Sequence, residues 1–224
     1  MKSSLRHVST PLFVLAAGFL LAGSAFSHAV LVALPAASLS SPAVDSGTIV
    51  NFGEVSLTTP INGLTIKGFG FSENIPNATV SNGGPGSTTN ITTPTAQSGG
   101  SYSPATYALT VTMPIPVHSF GFGFAILDFT PTANAVTITL FDGLTNLGSI
   151  TYPGVPDPTP PFFDGGFAGI GSTDYFTSAR ITFGPTAVAF AIDNLAVPEP
   201  GSLALWVFGS AVLGLRRRRQ TARV

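Results

Sequence analysis

Apolar and polar residues alternate along the middle of this chain in short runs broken by glycine and proline. Phe120, Phe122, Phe124 and Ile126 fall on one side of an extended segment, with Gly121, Gly123 and Ala125 on the other. Val136, Ile138 and Leu140 alternate with Thr137 and Thr139, and Asp142-Gly143 precedes a returning run from Gly148 to Tyr152. A period of two marks a strand with one face in a core, and Asp-Gly between two such runs signals a hairpin. Further strands are predicted over Thr48 to Phe52, Leu64 to Phe71, Tyr107 to Met113, Phe167 to Gly171, Ala179 to Phe183 and Val188 to Val197. Gly68 shifts the apolar phase of its run and predicts a β-bulge. Pro114-Ile115-Pro116 predicts a strand end. About eight or nine strands in one unit predict an all-β fold, a single antiparallel β-sandwich that is jelly-roll-like.

Residues 77–106 break the alternation. They are rich in Asn, Gly, Ser, Thr and Pro, carry no charged side chain, and predict a long surface loop. Tyr102 and Tyr107 near its end are candidate ligand-binding residues, because an exposed tyrosine ring can stack on a sugar.

The two ends follow a different pattern. Lys2 and Arg6 precede an apolar stretch from Pro11 to Leu21 and then small residues, the order of a secretory signal peptide. Ser27-His28-Ala29 is a small-x-small cleavage site, so residues 1–29 are expected to form a signal helix and Val30 to open the mature chain; Ala25-Phe26-Ser27 is a competing site. Signal peptidase is the implied partner. At the other end, Leu203 to Leu215 is an uncharged apolar run followed by Arg216, Arg217, Arg218 and Arg219. As a helix it would span roughly 20 Å, short of a hydrocarbon core of about 30 Å. Snorkelling arginines can make up part of the difference. The arginine block serves as a membrane stop on the cytoplasmic side. The expected organisation is therefore a signal peptide over 1–29, an ectodomain over 30–196 and an anchoring tail over 197–224.

Charge changes once the ends are set aside. Residues 30–197 hold two bases, Lys67 and Arg180, against nine acids, a net of −7. Nucleic acid is excluded as a partner, since phosphate binding needs basic clusters; cations and neutral polymers fit better. The chain has no cysteine, so no disulfide or thiolate metal site braces it. Catalysis finds little footing. His7 and His28 lie in the leader, and His118 sits next to Ser119, where strand neighbours point to opposite faces. The ectodomain is expected not to be an enzyme. A surface glycosidase or lyase is the catalytic alternative, and two carboxylates converging in a cleft would favour it.

Val197-Pro198-Glu199-Pro200, the apolar run and the arginine block resemble the PEP-CTERM sorting signal of Gram-negative bacteria. The same tail is described as the C-terminal domain of some ice-binding proteins. The resemblance implies recognition by an exosortase, a membrane protease that cuts near Pro-Glu-Pro. It also implies transient or lasting anchorage in the inner membrane and delivery to the cell surface or extracellular matrix of an exopolysaccharide producer. More weakly, residues 48–197 are similar to carbohydrate-binding modules of galactose-binding jelly-roll type, through Phe120 to Phe124, Val136 to Phe141, Arg180 to Phe183 and Phe190 to Leu195. In several such modules an Asp in the final strand ligates a structural calcium. That resemblance puts Asp193 forward as a ligand, with Glu54 or Asp45 as possible companions; no other cofactor is implied. The expected role is a polysaccharide-associated structural or binding module. Recognition of ice or another repetitive surface is the alternative, and it would need a flat threonine-rich face.

Overall fold

The computed structural model describes residues 29–35, 48–74, 78–82, 91, 95–98, 108–127, 132–156 and 163–197. Apart from one 3-10 turn, Phe52–Glu54, every regular element among them is a strand. In chain order these are β1 (Leu31–Ala33), β2 (Thr48–Val50), β3 (Thr65–Ile66), β4 (Phe69–Glu73), β5 (Thr79–Ser81), β6 (Thr95–Ser98), β7 (Ala108–Leu127), β8 (Val136–Asp142), β9 (Thr145–Tyr152), β10 (Val155–Pro156), β11 (Phe163–Phe183) and β12 (Ala189–Val197). All pair antiparallel. The expected signal helix and apolar tail helix lie outside the described residues. No helix among the described residues is long and apolar enough to cross a membrane.

The spine is the pair β7 and β11, 20 and 21 residues long, which run together along most of their length. Each is two strands in one. The second half of β7 lies between β12 and the first half of β11, and β12 carries β6 and β2 beyond it. The first half of β7 lies between β4 and the second half of β11, which continues through β8 to β9. These two halves fold over one core. The hydroxyl of Tyr152 on β9 donates to the carbonyl of Gly169 on β11, a buried bond of 2.5 Å across the layers. Phe183 stacks on Phe190 with ring centroids 4.0 Å apart, joining β11 to β12. One cluster of buried apolar side chains holds residues of both halves, Val111 and Ile138 with Phe122 and Ile192. Burying such a face is the main stabilising force in a protein without disulfides.

Four expectations are corrected. Leu64 to Phe71 is a hairpin, not one bulged strand: Ile66 pairs with Phe69, and Lys67 and Gly68 turn with φ of 50° and 85°. Positive φ at both central residues matches the twist of flanking strands. The Pro114-Ile115-Pro116 segment does not end its strand. β7 passes through it because Met113 to Pro116 lie in a bulge opposite Thr177, where no ladder N–H is needed from either proline. The 77–106 segment is no uninterrupted loop, since it contains β5 and β6, with Val80 and Ala96 wholly buried and β6 paired to β12. Finally, Phe167 to Gly171 and Ala179 to Phe183 are parts of the single strand β11.

Candidate functional site

Where the two halves of the spine meet, both strands bulge. Gly171 pairs with Ser119 and Phe176 with Val117, so Ser172 to Tyr175 are four residues facing the single His118. An insertion of this kind leaves backbone groups off the ladder, and local bonds take them up. Asp174 N donates to Ser172 Oγ at 3.1 Å. His118 Nδ1 donates to the Ser172 carbonyl at 3.1 Å, which holds the imidazole against the bulge. The ring of Tyr175 then lies over that of His118, with centroids 3.8 Å apart and planes inclined by 35°. Tyr175 is 53% exposed, high for an aromatic ring in a folded sheet.

The opposite wall is the β8–β9 hairpin. Asp142 pairs with Thr145 across the turn Gly143-Leu144, where Gly143 has φ of 56°. Thr177 Oγ1 accepts from Gly143 N at 3.0 Å and donates to the Phe141 carbonyl at 3.4 Å, tying the hairpin to β11. Leu147 is the extra residue of a bulge, because Leu140 pairs with Gly148 and Phe141 with Asn146. Gly148 takes φ of 120° there, and its N–H is held by Asn146 Oδ1 at 2.8 Å. The result is an open groove of about 690 Å³, lined on one side by His118, Thr173, Asp174 and Tyr175 and on the other by Asp142, Thr145 and Leu147. It offers a stacked aromatic platform, an apolar patch, two carboxylates and three hydroxyls, with no lysine or arginine among the described residues. Such a surface suits the C–H face and the hydroxyl donors of a neutral sugar and repels anions.

Sequence reasoning missed this groove. His118, the one histidine outside the leader, reads in the sequence as a surface or strand residue. Tyr102, Tyr107 and Asp45 lie outside the described residues, as do Pro198 to Pro200 and Arg216 to Arg219. Val197 is the buried last residue of β12, paired with Thr48 of β2. Asp193 is fully buried within β12, opposite Gly123, at a register shift where Asn194 takes φ of 49°. It therefore sits inside the strand, not at a strand end. A buried carboxylate is stable only where hydrogen-bond donors or a cation compensate it. Glu54 is placed differently, in a surface ion pair with Lys67 Nζ at 2.6 Å. Among the described residues no three His, Asp or Glu side chains gather to hold a metal.

One further carboxyl stands out. Glu73 at the end of β4 has a pKa pushed up to about 7 by desolvation, against a lowering backbone hydrogen bond from Asn62. Its Oε2 is shut off from solvent and has no hydrogen-bond partner among the described residues.

The outer face of the half built on β4, the first half of β7, the second half of β11, β8 and β9 is lined with hydroxyls. Across one row stand Ser72, Thr110, Arg180, Thr139 and Ser149, and Thr182, Thr137 and Thr151 form the next. Thr137 and Thr151 bring their Oγ1 atoms to 2.9 Å.

Residues 196–220 match the PEP-CTERM protein-sorting motif family. The match encloses Val197 to Pro200 and Arg216 to Arg219, so the chain carries this sorting signal; the motif implies export, exosortase processing and delivery to the cell surface. No curated protein sequence matches the chain. Among solved structures, one of family 29 carbohydrate-binding module CBM29-2, a point mutant, is similar at 9% identity and a TM-score of 0.34, covering 63% of this chain and 89% of its own. A structure described as carbohydrate binding module family 29 gives 9% identity and 0.33, covering 67% and 88%. The enzymatically active domain of tailspike protein 4 of bacteriophage CBA120 gives 17% and 0.35, covering 61% of this chain and 21% of its own. Likeness of this degree fixes neither topology nor function.

Proposed function

We propose that this PEP-CTERM-bearing chain is a non-catalytic surface or matrix protein. Its jelly-roll-like sandwich, flanked by a leader helix and an apolar tail helix, holds a neutral exopolysaccharide in the groove of His118 and Tyr175. The observation that carries this reading is the exposed Tyr175 ring, fixed on His118 inside a groove with two carboxylates and, among the described residues, no lysine or arginine. The CH-rich face of a pyranose packs on the ring, and its hydroxyls donate to Asp142 and Asp174. Two acids in one groove also meet the condition for a glycosidase. One of the two would have to serve as a shielded general acid, whereas Asp142 is exposed and Asp174 only half-buried. Calcium at Asp193 is kept as part of this proposal, on the burial of that carboxylate.

The test is co-sedimentation of the processed protein with exopolysaccharide of the producing bacterium, in calcium and then in EDTA. Saturable binding that drops about tenfold or more in Tyr175→Ala supports the groove. Binding equal to wild type in that variant sinks it. Release of new reducing ends, lost in Asp142→Asn or Asp174→Asn, would establish the glycosidase instead. Weaker binding in EDTA, reproduced by Asp193→Ala, supports the calcium.

The hydroxyl-lined sheet face favours a second reading, contact with ice or another repetitive surface. Strands about 4.8 Å apart set threonines at regular spacing, but sheet twist and the central exposed Arg180 work against a flat match. Inhibition of ice recrystallisation that is lost in Thr139→Leu, with Tyr175→Ala unaffected, would put this reading first.

A further inference from the structure

Thr173, on the wall of the groove, is bound by the residue expected to open the mature chain. Val30 N donates to Thr173 Oγ1 at 3.0 Å, and the Val30 carbonyl accepts from Thr173 N at 3.1 Å. Leu31 pairs with Ser172 as β1 runs on along β11, so a strand holds the backbone of Val30 in place. Thr173 Oγ1 in turn donates to Asp174 Oδ1 at 3.5 Å. Both Thr173 and Asp174 line the groove. The donor directions agree along the chain, from nitrogen to hydroxyl to carboxylate.

In the unprocessed protein the Val30 nitrogen is a peptide amide with a single N–H, already given to Thr173. Hydrolysis of the Ala29–Val30 bond consumes one water. It leaves a carboxylate on Ala29 of the departing leader and a protonated amine on Val30. A free α-amine has a pKa of about 7.7–8.0, so near neutral pH it is mainly an ammonium with three N–H donors. The groove otherwise lacks lysine and arginine, and its side-chain oxygens are mostly acceptors. A positive donor one hydroxyl away from Asp174 therefore changes the charge balance of this wall.

We propose that the α-amino group released at Val30 is a component of the groove. It holds Thr173, pairs with the Asp174 carboxylate and supplies a hydrogen-bond donor to the ligand, so that removal of the leader completes the binding site. The pairing rests on cleavage after Ala29, and its effect on ligand rests on the glycan-groove reading above.

The test uses the processed protein from the producing bacterium, its Asp174→Asn variant, and a form that keeps Ala29 as its first residue. Mass spectrometry reads the first residue, and the pH dependence of α-amine acylation reads the pKa. The expected result is Val30 first, with an α-amine pKa about half a unit above the ordinary range. That shift is expected to vanish in Asp174→Asn and in the Ala29-first form. An ordinary value in all three overturns the pairing. A mature chain that begins elsewhere and leaves Val30 as an amide overturns the proposal at its premise, while Tyr175-dependent glycan binding would persist. With the pairing present, the Ala29-first form is expected to bind the host exopolysaccharide about three- to tenfold more weakly, and equal binding overturns the role in the site. Loss of glycan binding in every form would strike the groove reading alone, since the amine titration decides the pairing by itself.

Discussion

The two halves of the spine obey different rules although they share the same two strands. In one half, β8 and the ends of β7 and β11 alternate strictly, with Val111, Ile138 and Ile181 inward and Thr110, Thr139 and Thr182 outward. In the other, Phe120 to Ile126 are buried on both faces, with Gly121, Gly123 and Ala125 on the side away from the phenylalanines. The reason is what covers them. The first half meets water on its outer face, so polar residues are free there. The second half is enclosed on both sides, and only small residues fit opposite Phe167 and Ala196, which form a separate apolar contact. The groove lies at the seam, where the change of environment forces reciprocal bulges and leaves His118, Asp174 and Tyr175 off the regular ladder.

This contrast predicts a steep difference in mutational cost. Phe122→Ala in the enclosed half is expected to lower unfolding free energy by about 3–5 kcal/mol. Thr139→Ala on the wet face is expected to change it by less than about 0.5 kcal/mol. Urea denaturation of both variants checks the pair, and similar losses would erase the distinction. A smaller effect is expected where a turn of the alternating half docks on the seam. Gly68 has φ of 85°, and a Cβ there would stand 2.9 Å from Pro114 Cβ, a backbone-anchored atom with little room to yield. Gly68→Ala should therefore cost about 1–2 kcal/mol by the same measurement, and Gly143→Ala less, because nothing lies within 4 Å of its Cβ position.

A further modest effect is expected as a pH dependence at the edge of the alternating half. Glu73 has a folded-state pKa raised from 4.5 to about 7, with desolvation the larger cause. Between those values the native protein keeps a proton that the unfolded chain has released, so stability is greatest below about 4.5 and falls as pH rises through about 7. With solvent screening allowed for, the loss is about 1 kcal/mol. Glu73→Gln should remove this slope in melting temperature between pH 5 and 8; an unchanged slope would place the titration elsewhere.

Much of the fold was legible because alternation is a local property. β8, the Asp142-Gly143 turn, the return of β9 and the final β12 stand where the pattern placed them. The errors came where a neighbour outside the run decides the outcome. Gly68 reads as a bulge from its own run, and the pairing of Ile66 with Phe69 makes it part of a turn. The proline pair in β7 reads as a stop until Thr177 is found opposite, asking for no ladder bond. β5 and β6 have too few apolar residues to announce themselves; β6 becomes a strand by pairing with β12, and β5 by pairing with β6.

The sequence by itself determined that this is an all-β chain with an acidic, cysteine-free body, and that its tail carries a sorting signal. These properties are written in contiguous residues or in sums over composition, so no folding is needed to read them. Only the tertiary structure decided that His118, Asp142 and Tyr175 share one groove and that Val30 reaches Thr173 across 143 positions of chain. Which residues face each other across a seam depends on strand register and bulges. Those are set by packing between segments far apart in sequence, and no window along the chain contains them.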